Sequence, residues 1–413
     1  MEPPAPATKV PRESLLLGLS IFLVIAATNI LTPLLPAIRD DFGVSITTAG
    51  VIVGAYGLAR LAVDLPAGFL ADRFGHRSLA VLALVVLVGA SLLGLFATSV
   101  ELLIAARIGS GLAVGILATV ILSALSATAS STNRGKVMSL FHVANNVGIA
   151  LYPLVGGVVG TLIDWRATFA VTVALAVIAG VILIPLLLRL DLPAGAGDAK
   201  KGSDERVLHG RARRIAVAAT NYGVIANMIH RHGFRNTVLP LYAAIVLGLG
   251  ELSIATAIAL MSITGLLVAT PGGMLGDRIG RRRVISAGLA ALAVGDLVFI
   301  LTGDLVTFLI AAAAIGLGDF FTSSQTALLS EVVPAQQRTR VLSTYRFSAD
   351  LGALIGPILL ATVMDVADAQ ASIVVAAGIL LSASLAARVL VPVPQPAAAA
   401  AAPSIRPTRE GAR

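Results

Sequence analysis

The chain has no cysteine, one tryptophan and few charges: 13% of its 413 residues are ionic and 5% are aromatic. Without cysteine there are neither disulfides nor thiolate metal ligands. With so little charge, a water-soluble globule of this length could not cover its apolar surface. Period-two alternation is missing, so a transmembrane barrel is excluded. No metal-ligand cluster, phosphate-binding loop or nucleophile elbow is visible, so an enzyme reading has nothing to rest on, and no cofactor is expected.

What is present is apolar. Hydrophobic residues make up 57% of the chain and mean hydropathy is +0.93. Runs of roughly 20 apolar residues, the length that spans a bilayer, fall at about 14–37, 46–71, 78–98, 102–129, 137–162, 167–189, 216–247, 252–275, 284–302, 305–331, 341–366 and 371–391. In lipid such runs must be helices, because a helix satisfies its own backbone groups. The expectation is an all-α integral membrane protein with twelve transmembrane helices.

A ten-residue phrase occurs twice, GFLADRFGHR at 68–77 and GMLGDRIGRR at 273–282, offset by 205. RGKVMSLFHVANNVGIALYP at 134–153 returns as RTRVLSTYRFSADLGALIGP at 338–357, offset by 204. Repeats this long, built from apolar spans, indicate a duplicated membrane unit. The expected organisation is an N-terminal tail over 1–13, a six-helix bundle over 14–190, a linker over 191–214, a second bundle over 215–391 and a disordered tail over 392–413.

Most of the 30 basic residues fall on one side, at Arg73, Arg77, Arg134, Lys136, the 189–214 stretch, Arg278–Arg283, Arg338, Arg340 and the C-terminal end; Arg39 and Arg166 occupy the other. The positive-inside rule then puts both termini in the cytoplasm of a multi-pass cell (inner) membrane protein. The same bias accounts for the net charge of +8, so nucleic acid is not an expected partner. The expected partners are the lipid bilayer and a small-molecule substrate, and the chain is expected to be monomeric.

These motifs resemble the major facilitator superfamily of secondary transporters over nearly the whole chain. The repeated phrase is similar to the family's loop motif, through Asp72, Arg73, Gly75 and Arg77 and again through Asp277, Arg278, Gly280, Arg281 and Arg282, with His76 where a basic residue is usual. Arg107 with Gly111, and Pro33 with Pro36, resemble two further family motifs. Gly148, Pro153, Gly156 and Gly157 match most of a glycine-proline pattern of proton-coupled exporters, although Tyr152 replaces one glycine; Gly352, Gly356 and Pro357 keep part of it. The resemblance implies two pseudo-symmetric six-helix bundles and loop-motif carboxylates that dock against the opposite half as latches.

Ionisable groups at bilayer depth need a partner or water. Arg60 with Asp64, and Arg346 with Asp350, are spaced i, i+4, so each pair can neutralise itself on one helical face. In the fold that the resemblance implies, these two helices face each other. Exchange of partners across the halves would then make a gate, with Asp64, Asp319 and Asp350 as candidate proton carriers and the proton as the coupling ion. Asn29, Arg107, His142, Asn145, Asn146, Asn227, His230, Arg231, Arg235, Asp319 and Gln325 are the candidate cavity residues. Arginines outnumber carboxylates among them, which favours an anionic or zwitterionic substrate. The expected function is a proton-coupled antiporter exporting a small drug or metabolite by alternating access. The alternatives are a symporter or facilitator for a sugar, carboxylate or amino acid, and a flippase for a lipid or lipid-linked glycan.

Overall fold

The structure is a computed structural model that describes residues 10–64, 66–130, 133–190, 208 and 210–391. The expected N-terminal tail, most of the linker and the C-terminal tail lie outside the described residues. Among those described, regular structure is entirely helical.

The first half comprises α1 (Arg12–Phe42), α2 (Ile46–Val63), α3 (Pro66–Phe74), α4 (His76–Leu95), α5 (Val100–Thr128), α6 (Arg134–Leu162) and α7 (Ala167–Arg189). The second comprises α8 (Gly210–Met228), a π-wound segment (Ile229–Val238), α9 (Leu239–Ile245), α10 (Glu251–Ile279), α11 (Arg281–Phe299), α12 (Leu305–Val332), α13 (Ala335–Val366) and α14 (Ala369–Leu390). Ten helices are long and apolar enough to cross a membrane. The expected spans at 216–247 and 284–302 are not among the ten. The first carries His230, Arg231, His232 and Arg235, and α11 opens with three arginines and buries Asp296.

Each half has its own buried apolar cluster. The second cluster also takes in Leu35 and Ala49, from the ends of α1 and α2 farthest from the repeated loop motif. That end is called the outer face below, and the opposite one the motif face. At both copies of the motif the chain turns through a glycine in a left-handed conformation, Gly75 at φ 82° and Gly280 at φ 94°. A side chain would be strained there, which explains why the motif carries glycine in both copies.

The halves meet along two helix pairs, α2 with α13 and α6 with α10. Lipid gives no hydrophobic drive for helix association, so backbones must approach closely. A Cβ on Gly57 would come within 2.8 Å of the Leu354 backbone, and one on Gly157 within 2.5 Å of the Ala255 methyl. Gly148, Gly156 and Pro153 sit on α6, the first two against Ile25 and Ile30 of α1, while Gly352 and Gly356 bring α13 onto α8 and the π-wound segment. Pro357 lies inside α13, its carbonyl facing Gly50.

Two hydroxyl–carboxylate contacts close the outer face. Thr47 of α2 donates from Oγ1 to Asp365 Oδ2 of α13 at 2.8 Å and from its backbone N–H at 3.3 Å. The Thr161 hydroxyl of α6 donates to the Gly157 carbonyl at 2.7 Å and lies 3.5 Å from Glu251 Oε2 of α10. Glu251 stands 204 residues after Thr47, and Asp365 stands 204 after Thr161. The two contacts are therefore repeat images, with hydroxyl and carboxylate exchanged. On the same face Arg166 pairs with Asp41 at 2.8 Å and stacks over Trp165, while Arg39 pairs with Asp40. The two basic residues that break the charge bias are thus neutralised.

Because the chain has no native cysteine, a Thr47→Cys/Asp365→Cys double variant reports one contact. Mild oxidation is expected to form an intramolecular disulfide that stops transport, and reduction to restore it. Failure to crosslink, in protein where a pair placed within one half does crosslink, would show that the outer face is not closed at rest.

Candidate functional site

The site begins with breaks in two helices. In α1 the regular ladder stops at Ile30, and Thr32–Leu34 winds more tightly around Pro33. Arg107 of α5, buried beside this break, donates from Nη1 to the Ala27 carbonyl at 2.9 Å and lies 5.0 Å from the Tyr56 ring centroid. Tyr56 hydroxyl and Thr28 Oγ1 are 2.6 Å apart. Arg107 therefore satisfies an open carbonyl and fixes the wall that Thr28 and Tyr56 present.

The second break precedes Pro240, which lacks an N–H for the helix ladder. From Ile229 to Val238 the backbone is π-wound, with the Leu239 N–H reaching the Phe234 carbonyl five residues back. Thr237 Oγ1 adds a bond to the His232 carbonyl at 2.9 Å, also five residues back. Such widened turns are rare and concentrate at functional sites. Here one carries the polar stripe His230 to Asn236.

Four neighbouring cavities share residues in the space between the halves. A cavity of about 220 Å³ is bounded by Asn29, Tyr56, Arg60, Asn145, Arg231, His232, Arg235, Asn236 and Asp350. A second, about 80 Å³, shares Arg231 and Arg235 and adds Asn146, Ser262 and Asp319. A third, about 210 Å³, lies toward the motif face and holds Arg60, Asp64, Arg346 and Asp350. A small outer recess contains Arg107, His232 and Asn236. With the outer face closed by the two hydroxyl–carboxylate contacts, this space extends toward the motif face.

Arg60 is the joint between the halves. Its Nη2 lies 2.9 Å from Asp64 Oδ2 on its own helix, and its Nε lies 3.7 Å from Asp350 Oδ1 on α13. Arg60 thus combines an i, i+4 pair on its own helix with an ion pair across the halves. Arg346 is exposed and lines the same cavity without an ion pair to Asp350 within 4.0 Å. Arg235, 4% exposed, donates to Ser262 Oγ and to the Ile258 carbonyl at 3.4 Å.

The sequence profile of the Major Facilitator Superfamily matches residues 17–267 and 232–410. The chain belongs to the major facilitator superfamily. It is similar to the cephamycin export protein CmcT of Amycolatopsis lactamdurans, 34% identical over 157 residues, which are 38% of this chain and 32% of that one. It is also similar to the multidrug efflux pump LfrA of Mycolicibacterium smegmatis, 33% identical over 172 residues, 41% of this chain and 33% of that one. Each match spans about a third of the relative's length. The peptide transporter POT in complex with sulfate has the same fold, with a TM-score of 0.76 at 16% identity over 91% of this chain and 94% of that one. Family and relatives are transporters, and the superfamily fold makes this chain a multi-pass membrane protein.

Several expected positions of this superfamily chain lie elsewhere. His230 points into the core of the second half, where Nδ1 is 3.0 Å from Asp296 Oδ2 of α11 and the ring stacks on Phe234. Gln325 is buried and accepts from the Tyr345 hydroxyl at 3.3 Å, and Asn227 is buried in α8. His142 is exposed on α6 beside Phe141. Of the two expected latches, Asp277 has a partner close by. Asp277 is held at 2.7 Å by Arg281, which reaches Glu331 of α12 at 2.6 Å, so this carboxylate is engaged within its own half. Arg282 donates to the Val391 carbonyl at the end of α14, and Arg278, Asp72, Arg73 and Arg77 are exposed on the motif face. Tyr56, Thr28, Ser262 and Asp296 are not among the positions that the sequence singles out. Only Asp296 had a clear signal, an acid in the middle of an apolar span that requires a partner.

Substituting Asp296→Ala leaves His230 buried without its partner, which costs about 1–3 kcal/mol. The expected outcome is a lower melting temperature in detergent with ligand affinity unchanged in the protein that remains folded. A loss of affinity at unchanged stability would put the pair in the site instead.

Proposed function

We propose that the protein is a proton-coupled antiporter that exports a small organic solute, anionic or zwitterionic, by alternating access across the cytoplasmic membrane, with the motif face and both termini in the cytoplasm. The observation that carries this reading is Arg60, forked between Asp64 of its own half and Asp350 of the other at the edge of a cavity that both halves build. A charge at this depth needs a partner or water. Protonating Asp350 removes its attraction for Arg60, which falls back on Asp64, and the halves lose an ionic link on the side where the cavity lies. A proton arriving there is thereby converted into a change in how the halves hold together.

Export as the direction rests on the relatives, one named for cephamycin export and the other for multidrug efflux. The glycine-lined contact between α6 and α10 supports alternating access in either direction, because Gly157 lets the outer face close tightly while the site faces the motif side. The arginine excess of the cavity walls supports a substrate that brings negative charge.

The test uses energised inside-out vesicles containing the protein and a pH-sensitive dye, with a panel of cationic, neutral and anionic aromatic compounds. A transported compound is expected to discharge the proton gradient, and Asp350→Asn to lose this response while retaining solute exchange across the membrane. A wild-type proton response in Asp350→Asn would remove Asp350 from the coupling step.

A further inference from the structure

The cavity walls are not electrically balanced. Arg60 is satisfied by two carboxylates, Asp64 and Asp350. Arg107 is spent on the Ala27 carbonyl and the Tyr56 ring. Arg231 and Arg235 remain, with Asp319 as the carboxylate lining their cavity. The two arginines are four residues apart in the π-wound segment, so they rise on one wall. They are also the charged residues common to the 220 Å³ and 80 Å³ cavities.

Arg235 is fixed in place by Ser262 and the Ile258 carbonyl. Arg231 makes no hydrogen bond or ion pair to another described residue, although it faces both cavities. Two neighbouring guanidinium groups at bilayer depth repel each other strongly, because screening there is weak. With one carboxylate beside them, and with Arg107 offsetting the second acid on Arg60, the walls keep an excess positive charge. A monoanion supplies the missing charge, and its two oxygens match the donor fork of a guanidinium.

The dimensions limit the rest of the molecule. A cavity of about 150 Å³ holds benzene, so one of about 220 Å³ admits a single ring with substituents. Its other walls offer Ile149, Met228 and Ala353 as apolar contacts and Asn29, Asn145 and Asn236 as hydrogen-bonding groups.

We propose that Arg231 and Arg235 form an oxyanion subsite, and that the carried solute is a small organic monoanion with its carboxylate or sulfonate between these two side chains and its body in the larger cavity. This rests on the reading of the cavity as the substrate site, but not on the direction of transport or on proton coupling. Net charge also separates a monoanion from a zwitterion: the added ammonium of a zwitterion would restore the positive excess.

The test is thermal stabilisation of the purified full-length protein by four matched probes: 4-hydroxybenzoate, 4-hydroxybenzamide, 4-hydroxybenzylamine and 4-(aminomethyl)benzoate. A ligand that binds the folded state raises its melting temperature, and at a fixed concentration the rise grows with the logarithm of its affinity. The benzoate is expected to stabilise most, and the amide and amine little. Arg231→Gln and Arg235→Gln are each expected to weaken the benzoate by roughly tenfold or more, the scale of a lost charge-assisted bond. Arg235→Lys keeps the charge without the fork and is expected to fall between, which guards against a Gln variant that simply misfolds. Tighter binding of the amine, or of the zwitterion, than of the benzoate would overturn the subsite. So would a benzoate affinity that does not change in all three well-folded variants. Selective benzoate binding without any proton-linked transport would leave the subsite standing and sink the antiport reading instead.

Discussion

A cation at bilayer depth is held by carboxylates in two different halves of the molecule, and much of the architecture serves that arrangement. Arg60 could have been neutralised by Asp64 alone, since the i, i+4 spacing on α2 suffices. Asp350 is a second partner, brought within 3.7 Å only because α2 and α13 pack backbone to backbone at Gly57. A bulky residue in place of Gly57 would separate the helices and leave Asp350 facing its cavity without that cation. Small residues in α2 therefore do more than pack: they set the distance over which the two halves share charge.

The outer face uses a different chemistry for the same purpose. Thr47 with Asp365, and Thr161 with Glu251, join the halves through a neutral hydroxyl and one carboxylate. Such bonds are weaker than a buried ion pair and lie where water can compete, so the outer face can open without separating opposite charges in lipid. Both hydroxyls belong to the first half and both acids to the second, although each acid stands at the repeat position of the other contact's hydroxyl, so the duplicated positions have diverged into donors on one half and acceptors on the other.

Much of the fold was legible in the sequence, because duplication writes each structural requirement twice. Ten of the expected spans are long and apolar enough to cross a membrane, and the glycines at Gly75 and Gly280, where the chain turns, lie in motifs repeated at nearly one offset. The partnership of Arg60 with Asp350 was also legible, once the two helices were expected to face each other. The orientation of the polar stripe was not. Read as one polar stripe, His230, Arg231 and Arg235 are all expected at the cavity, whereas the structure turns His230 toward Asp296 and the core while the arginines face the cavities. The winding that Pro240 permits is a backbone property which composition does not reveal. The partner of Asp277 was not legible for another reason: a loop carboxylate has candidate partners in either half, and Asp277 has Arg281 one turn away.

The difference between His230 and Arg231 shows how one segment can be both scaffold and site. A buried imidazole bonded to a buried carboxylate ties the π-wound segment to α11, so its backbone cannot rotate freely. Gly233 packs against the Gly356 backbone and ties the same segment to α13. With two of its faces committed to packing, the remaining face is fixed toward the cavity, and Arg231 and Arg235 are held there in spite of their mutual repulsion. A regular α-helix with the same residues would also place them four apart. It would not, however, allow Thr237 to close a bond to the His232 carbonyl five residues back. The widened turn is thus the means by which charge that lipid would otherwise expel is kept beside an opening of molecular size.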